Sequence, residues 1–258
     1  MNKILITNDD GFESPGIAAL CRAFSKVGEV ALVAPLSEMS GSSHSITAWQ
    51  SLRVKEVEVA GIKGYAVAGT PADTVILGLN LLHEREIDLV VSGVNRGPNL
   101  GFDVFYSGTV AAAMEASMSG IPSLAVSLAL GESSNYSLAA EMALEVWEKF
   151  EDFLRVQRNL VLNINVPDVE SKDAIKGWQI TDLGDRFYFT RVRETRHESG
   201  WREFVFEEER RETEVQKSSD YWAVWNKKVS ITPLCPNLTD YLVKNKLEEI
   251  AGLVYERE

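Results

Sequence analysis

The sequence is poor in the residues that build disulfide frameworks and zinc sites. It has two cysteines, Cys21 and Cys235, which lie far apart and outside any Cys-x-x-Cys pattern, and only three histidines. These counts argue against a disulfide scaffold and a zinc site, and we expect a reducing environment. The shortage of histidine also favours hard, oxygen-bound cations over zinc or copper at any metal site.

The sequence also lacks an excess of basic residues and long apolar runs. Its 26 Lys and Arg are outnumbered by 38 Asp and Glu, which gives a net charge of −12. This balance argues against a nucleic-acid-binding surface, although a local metal ion can still attract a phosphorylated small molecule. No apolar stretch approaches the roughly 18 residues that span a membrane. The first residues run into an apolar strand without a signal-peptide pattern, so we expect a soluble, cytoplasmic protein.

Two common nucleotide-binding motifs are missing as well. The first strand is not followed by Gly-x-Gly-x-x-Gly, and the acidic pair found there would repel a pyrophosphate. This argues against a dinucleotide-dependent oxidoreductase. The sequence has no Gly-x-x-x-x-Gly-Lys-[Ser/Thr] motif either, which argues against P-loop kinases and ATPases.

What the sequence does contain is an alternation of apolar strands with amphipathic helices. With 258 residues, of which 45% are hydrophobic and 25% charged, the chain can bury the core of a large α/β domain. Strand, helix and strand follow one another within about 35 residues, which predicts parallel strands. We therefore expect an α/β fold with a Rossmann-like, mostly parallel sheet flanked by helices. The main predicted strands are Ile4–Ile6, Glu29–Pro35, Ile87–Gly93, Leu124–Ser127 and Leu160–Pro167, and the longest helix is Ser137–Arg155.

The pattern changes after residue 170, which divides an expected catalytic core (1–170) from an oligomerisation appendage (171–258). Phe187–Arg193 and Trp201–Phe206 alternate partly and flank a Ser-Gly turn, which predicts a long hairpin arm with exposed aromatic residues. A two-stranded hairpin is marginally stable alone in water, so we expect another subunit to cover it. A closing strand, Val229–Leu234, and a terminal helix, Leu238–Ile250, complete the appendage.

The first candidate site lies where the first strand ends. The apolar run Ile4–Ile6 leads into Asn8-Asp9-Asp10-Gly11, which places two adjacent carboxylates at the carboxyl end of a strand. Adjacent carboxylates repel each other and are hard to desolvate, and a bound divalent cation resolves both problems. The alternative is a simple turn, because Asn, Asp and Gly are all turn-forming residues.

Further oxygen donors follow other strands. Ser40 lies in a hydroxyl-rich loop after the second strand, together with His44, and Asn95 follows the strand that ends at residue 93. Because the carboxyl ends of parallel strands meet at one edge of a sheet, these donors can converge with Asp9 and Asp10. Their oxygen atoms suit Mg²⁺, Mn²⁺ or Ca²⁺. The alternatives are a flexible serine-rich loop and an ordinary surface histidine.

A hydroxyl-Gly-hydroxyl turn, Ser107-Gly108-Thr109, leads into an alanine-rich helix. The first N–H groups of a helix and the positive end of its dipole attract anions, and the two hydroxyls would add donors. The alternative is an ordinary N-cap, for which Ser and Thr are preferred in any case. Beside a metal site, phosphate binding is the better interpretation.

Four specific signatures stand together at consistent spacing. They are ILITNDDGFESPGI (4–17), SGSSHSIT (40–47), SGVNRGPNLGFDVFYSGTVAAAMEA (92–116), and the pair LNINVP (162–167) with VSITPL (229–234). Over nearly its whole length the chain resembles the SurE (survival protein E) family. The resemblance implies a metal-dependent phosphatase that acts mainly on nucleoside monophosphates, that is, a 5'-nucleotidase.

The resemblance also implies a set of site residues and an assembly. One divalent metal ion per subunit, Mg²⁺ or Mn²⁺ (or Ca²⁺ in a crystal), would be held by Asp9, Asp10, Ser40 and Asn95. A phosphate pocket would be lined by Ser107, Gly108 and Thr109, with Asn99 close by. The protein would be a homodimer or homotetramer with exchanged C-terminal segments. The chain departs from the family pattern at Ser218-Ser219-Asp220, where Gly-Thr-Asp is frequent, and at Lys227-Lys228, where glycine is frequent.

The predicted reaction is hydrolysis of a nucleoside 5'-monophosphate. The metal ion would polarise a phosphoryl oxygen and lower the pKa of a bound water, and the Ser107–Thr109 turn would hold other phosphoryl oxygens. Asp9 or Asp10 would orient or deprotonate the water, or attack directly, and His44 is a candidate leaving-group acid. The alternatives are the same site acting chiefly on short polyphosphate or other phosphomonoesters, and a catalytically silent nucleotide-binding module.

Overall fold

The computed structural model describes residues 2–82, 87–129, 134–185, 188–198, 200–210 and 215–252. Its strands are β1 (Asn2–Thr7), β2 (Gly28–Pro35), β3 (Val54–Val59), β4 (Ile62–Val67), β5 (Leu89–Arg96), β6 (Ser123–Leu128), β7 (Val161–Val166), β8 (Trp178–Ile180), β9 (Tyr188–Glu198), β10 (Trp201–Arg210) and β11 (Val229–Leu234). Its α-helices are α1 (Pro15–Phe24), α2 (Pro71–Leu81), α3 (Gly108–Met118), α4 (Tyr136–Val156), α5 (Asp220–Trp225) and α6 (Tyr241–Ile250). A short 3₁₀ helix, Gly101–Phe105, precedes α3.

Nine of the described strands form one sheet, in the order β3-β4-β2-β1-β5-β6-β7-β11-β8. The six strands from β4 to β7 are parallel to one another, while β3 and β11 run antiparallel to β4 and β7. The predicted α/β fold with a mostly parallel sheet is therefore confirmed.

The direction in which the chain adds strands to the sheet reverses at β1. From β1 the chain moves outward to β2 and β4, and then crosses back to place β5, β6 and β7 on the other side. In open α/β sheets, such a reversal leaves a crevice at the carboxyl ends of the strands, and ligands bind there. The crevice of this sheet lies between the ends of β1 and β5.

Helices cover both faces of the sheet because successive residues of each buried strand point to opposite faces. Ile4 and Ile6 of β1 belong to the core cluster that includes α1 and α4, whereas Leu5 packs with α2 and α3. Helix α1 lies so close to β5 that a Cβ at Gly16 would be 2.0 Å from the carbonyl oxygen of Val94. Only glycine permits this approach, which fixes the loop before α1 against the end of β5.

Helix α1 forms as the sequence predicts. Ser14 is its N-cap, with a hydroxyl that accepts a hydrogen bond from the N–H of Ile17, and Pro15 is its first residue. Cys21 on its apolar face is fully buried, and burial raises the pKa of its thiol to about 11. A thiol with such a pKa stays protonated at neutral pH, so Cys21 is a packing residue.

The sheet continues beyond residue 170. β11 pairs with β7, and β8 pairs with β11, so two strands of the predicted appendage extend the core sheet. The division of the chain at residue 170 stays a prediction. Helix α6 begins at Tyr241 and not at Leu238, because the carboxylate of Asp240 accepts a hydrogen bond from the N–H of Val243 at 2.9 Å and caps the helix there.

The predicted hairpin is confirmed as a separate antiparallel sheet of β9 and β10; Phe187, at its predicted start, lies outside the described residues. Trp201 and Phe206 on this arm are each 79% exposed. The role of the arm in oligomerisation remains a prediction. Among the helices that the structure describes, none combines the length and the apolar character needed to cross a bilayer.

Candidate active site

The candidate site is built around the turn that follows β1. The side-chain amide of Asn8 donates hydrogen bonds to the carbonyl oxygen of Gly11 and to the hydroxyl of Ser14, both at 2.8 Å. Gly11 adopts a left-handed conformation (φ +89°) against the backbone of Ser37. The turn predicted from these residues is thus present, and it presents the acidic pair at the crevice.

Asp9 is buried, with 3% of its surface exposed. Burial raises the pKa of its carboxyl to about 6, the hydroxyl of Thr109 opposes this by donating a hydrogen bond to Oδ1, and the neighbouring charge of Asp10 adds to the rise. A carboxylate that burial and a like charge both disfavour is stabilised by a cation placed beside it.

Asp10 ties the turn to the end of β5. Its Oδ2 accepts a hydrogen bond from the backbone N–H of Arg96 at 3.0 Å. Burial raises the pKa of this carboxyl too, against the opposing effect of that N–H, and the charge of Glu38 raises it further. The contact places Asn95, the residue before Arg96, next to the acidic pair.

Asn95 itself is oriented by the turn that follows it. Its amide nitrogen Nδ2 donates to the carbonyl oxygen of Gly97 at 2.8 Å. Because Nδ2 is engaged in this way, Oδ1 is the amide atom suited to bind a cation.

The loop after β2 folds over the acidic pair. The N–H of Met39 donates to the carbonyl oxygen of Asp9 at 2.7 Å, and the N–H of Ser43 donates to that of Tyr106 at 3.1 Å. These bonds fix the position of Ser40, which directly follows Met39, the residue bonded to Asp9. The hydroxyl of Ser40 donates to a carboxylate oxygen of Glu38 at 2.8 Å, so its oxygen keeps a lone pair for a ligand.

The four donors fit a hard divalent cation. They offer two carboxylates, a hydroxyl and an amide oxygen, which are oxygen ligands of the kind that Mg²⁺, Mn²⁺ and Ca²⁺ take. Within the described ranges, no group of three or more His, Cys, Asp and Glu side chains is placed to hold a metal. Asn8 Oδ1 is also buried in this turn without a hydrogen-bond partner in the described part of the chain. The assignment of the four residues as ligands remains a prediction.

The start of α3 lies directly against Asp9. Ser107 is the N-cap of the helix, as the alternative interpretation had it, and its hydroxyl accepts a hydrogen bond from the N–H of Val110 at 3.1 Å. A Cβ on Gly108 would be 2.8 Å from the Cβ of Asp9 and 2.9 Å from Oγ of Ser42. The positive end of the α3 dipole is therefore beside the candidate cation position.

Asn99 is held by the ends of β6 and β7. Its carbonyl oxygen accepts from the side-chain amides of Asn163 (2.9 Å) and Asn165 (3.1 Å), and its N–H donates to Oδ1 of Asn165 (2.8 Å). Its own side-chain amide donates to the hydroxyl of Ser127 at 2.8 Å. The contacts in the structure thus join Asn99 to strand ends rather than to α3. Its role in substrate binding stays a prediction.

The residues that bind Asn99 were not predicted as site residues from the sequence. Asn163 and Asn165 alternate with apolar residues on β7 and are fully buried, as is Ser127 on β6. Asparagine is rarely buried unless its amide is hydrogen-bonded. Its repetition in the LNINVP signature was therefore a usable signal for a buried polar contact.

The ring of His44 contacts the middle of α3. Its Nε2 lies 2.9 Å from a carboxylate oxygen of Glu115. Glu115 is seven residues after Gly108, which is about 10 Å along a helix at ~1.5 Å per residue. Among the described residues, no hydrogen bond joins His44 to the acidic pair, and its role as a leaving-group acid remains a prediction.

Comparisons with known proteins agree on one family. The family model described as "Survival protein SurE" matches residues 4–190. A 5'-nucleotidase SurE of Clostridium botulinum (strain 657 / Type Ba4) is 38% identical over 252 residues, covering 96% of this chain and 98% of that protein. A 5'-nucleotidase SurE of Thermosipho melanesiensis is 40% identical over 247 residues, covering 95% and 96%. The crystal structure of a SurE protein from Aquifex aeolicus superposes with a TM-score of 0.83 at 37% identity, covering 96% of this chain and 99% of that one.

Proposed function

Because the chain belongs to the SurE family, we propose that it is a divalent-metal-dependent phosphatase that hydrolyses nucleoside 5'-monophosphates to nucleoside and phosphate. Its similarity to relatives named 5'-nucleotidase over nearly their whole length supports this activity. So does the contact between Asp9, a candidate cation ligand, and Thr109 at the start of α3.

One contact carries the proposal. The hydroxyl of Thr109, the second residue of α3, donates a hydrogen bond to Oδ1 of Asp9. It joins the acidic pair to the first turn of a helix, where unpaired N–H groups and the dipole attract an anion. A phosphate monoester bound at this helix start would have its oxygens beside the cation, as phosphoryl transfer requires.

The chain's own residues hold the reacting groups in place. Asp9, Asp10, Ser40 and Asn95 would hold the cation, and Ser107, Gly108 and Thr109 would receive the phosphoryl oxygens. When bound, the cation neutralises phosphoryl charge and lowers the pKa of a water. The bonds from Thr109 to Asp9 and from Arg96 to Asp10 orient both carboxylates before substrate binds. Either carboxylate is then placed to orient or deprotonate the attacking water.

Two finer proposals concern the metal ion and the assembly. The oxygen-only donor set supports Mg²⁺ or Mn²⁺ as the working ion. The exposed arm of β9 and β10 supports assembly into a homodimer or homotetramer, and the family resemblance is what supports exchange of the C-terminal segments.

A phosphate-release assay tests the function. The purified protein should release phosphate from nucleoside 5'-monophosphates with Mg²⁺ or Mn²⁺, and EDTA should stop the release. Asp9→Asn and Asp10→Asn should each abolish turnover and leave the fold intact, while Asp152→Asn, at an exposed position of α4, should not. Full activity in both site variants would overturn the assignment.

A substrate panel at fixed metal concentration separates the alternatives. Short polyphosphate and non-nucleotide phosphomonoesters should be poorer substrates than nucleoside 5'-monophosphates. A higher kcat/KM on polyphosphate would favour the polyphosphatase interpretation. Nucleotide binding without phosphate release would instead favour the non-catalytic module.

A further inference from the structure

Asp220 is a buried carboxylate outside the candidate cation site. It is the first residue of α5 and has 0% of its surface exposed. Its Oδ2 accepts a hydrogen bond from the backbone N–H of Gly101 at 2.7 Å. Its Oδ1 accepts from the N–H groups of Gly184 and Tyr221, both at 2.9 Å. One side chain thus joins three segments of the chain.

The contact with Gly101 is long-range and sterically tight. Gly101 and Asp220 are 119 residues apart in sequence. A Cβ on Gly101 would lie 2.5 Å from the carbonyl oxygen of Gly184 and 2.8 Å from the ring of Tyr221. Burying a carboxylate costs free energy, and the three N–H donors reduce this cost. A buried carboxylate therefore fixes the position of Gly101.

Gly101 lies two residues after Asn99, so its bond to Asp220 restrains the loop that carries Asn99. Tyr221, next to Asp220, donates a hydrogen bond from its hydroxyl to the carbonyl oxygen of Leu100 at 3.3 Å. Residues 100 and 101 are thus both bound from the α5 side. Asn163 and Asn165 bind the backbone of Asn99 from the β7 side. The loop that carries Asn99 is clamped between these two anchors.

We propose that Asp220 and Tyr221 are positioning residues for the substrate loop, Asp220 acting through the N–H of Gly101 and Tyr221 through the carbonyl of Leu100. The proposal rests on the proposed function for its effect on substrate, since Asn99 is there a substrate-binding residue. It extends the site to the segment between the hairpin and β11, which lies more than a hundred residues beyond Asn99.

Asp220→Asn removes one of the three bonds selectively. Its amide can keep the oxygen toward Gly184 and Tyr221, where two N–H groups need an acceptor. The amide NH₂ then faces the N–H of Gly101, where two donors meet and no hydrogen bond forms. Tyr221→Phe removes the bond to Leu100 and keeps the packed ring.

Two readouts separate positioning from general stability. Hydrogen exchange of ligand-free protein should be at least tenfold faster at residues 99–101 in Asp220→Asn, with the exchange of β1 and β5 unchanged. The KM for a nucleoside 5'-monophosphate should rise about tenfold to a hundredfold, the range expected from losing one hydrogen bond to a charged group. A smaller folded fraction would lower kcat and leave KM unchanged.

The matched control is Asp182→Asn. Asp182 is exposed, and its backbone pairs with that of Asp220, so the control makes the same chemical change next to the same segment. It should leave both the exchange of residues 99–101 and KM at wild-type values. Tyr221→Phe should shift both readouts in the same direction as Asp220→Asn, by a smaller factor.

The exchange readout does not depend on the proposed function. If the wild-type protein lacks phosphatase activity but Asp220→Asn speeds exchange at residues 99–101, the positioning role stands and the proposed function fails. Wild-type exchange and wild-type KM in a folded Asp220→Asn would overturn the positioning role. If Asp220→Asn does not fold, unchanged exchange and KM in Tyr221→Phe overturn it.

Discussion

The close approach of Gly108 to Asp9 makes a methyl group at residue 108 a sharp test of the site. In Gly108→Ala, the new Cβ would lie 2.8 Å from the Cβ of Asp9, whereas ordinary contact begins at 3.4 Å. The difference, 3.4 − 2.8 = 0.6 Å, is the distance by which Asp9 or α3 has to move. The same methyl would also be 2.9 Å from Cγ of Pro71 and from Oγ of Ser42, so the methyl group cannot avoid Asp9 by shifting toward these residues.

The magnitude of both effects follows from this displacement. Overpacking of this kind costs about 1–3 kcal/mol of folding free energy. At about 2–4 °C per kcal/mol for a chain of this size, the melting temperature should fall by about 2–12 °C. Misplacing a catalytic group by about 1 Å costs about a hundredfold in rate, so a 0.6 Å shift should lower kcat/KM about tenfold to a hundredfold.

The assay compares Gly108→Ala with Gly78→Ala. The control adds the same methyl to α2, where it would meet the side-chain ends of Leu5 and Val33 at 3.1–3.3 Å. It should change the melting temperature but leave kcat/KM for a nucleoside 5'-monophosphate at the wild-type value. Wild-type kcat/KM in a folded Gly108→Ala would refute the argument that Asp9 and the start of α3 form one reacting site.

Three further predictions use other contacts of the protein, two at the site and one at the N-cap of α2. Adding Mn²⁺ should raise the melting temperature of the wild-type protein and leave that of Asp10→Asn unchanged, because a ligand stabilises a protein only by binding its folded state. An equal rise in both proteins would show that Asp10 is not a cation ligand. Thr109→Val should lower kcat/KM at least tenfold through loss of the bond to Asp9, and a wild-type value would contradict the role of that bond. Burial raises the pKa of the Asp73 carboxyl, but hydrogen bonds from Thr47 and Thr70 outweigh this effect and hold the pKa below the usual 3.8. The ionised carboxylate therefore stabilises the fold above pH 3.8, and this stabilisation is lost as the pH falls through the lowered pKa. Urea unfolding of Asp73→Asn should therefore differ most from wild type above pH 3.8, and a difference that does not shrink below it would contradict this sign.

The sequence was most informative where function depends on local pattern. The apolar strand before Asp9 and the capping residues Ser14 and Ser107 each follow from residues within one turn or strand, and the structure shows them where the pattern puts them. The order of apolar strand and polar loop also predicted that several loops meet at one edge of the sheet.

The long-range contacts that organise the site could not be predicted from the sequence. Thr109 and Asp9 are 100 residues apart, and Asp220 and Gly101 are 119 apart. Such pairs depend on strand order and on the direction of each side chain, which periodicity does not specify. His44 shows the converse: its loop lies at the site, but its ring is engaged by Glu115 on α3.

The bond between Thr109 and Asp9 couples the binding of the cation to the binding of the anion. Under the proposed function, Asp9 is a ligand of the cation, while Thr109 binds the phosphate. Whatever fixes one partner of the pair lowers the entropic cost of fixing the other, so cation and anion bind cooperatively. Thermodynamic reciprocity then requires that phosphate tighten the affinity for the metal by the same factor as the metal tightens the affinity for phosphate.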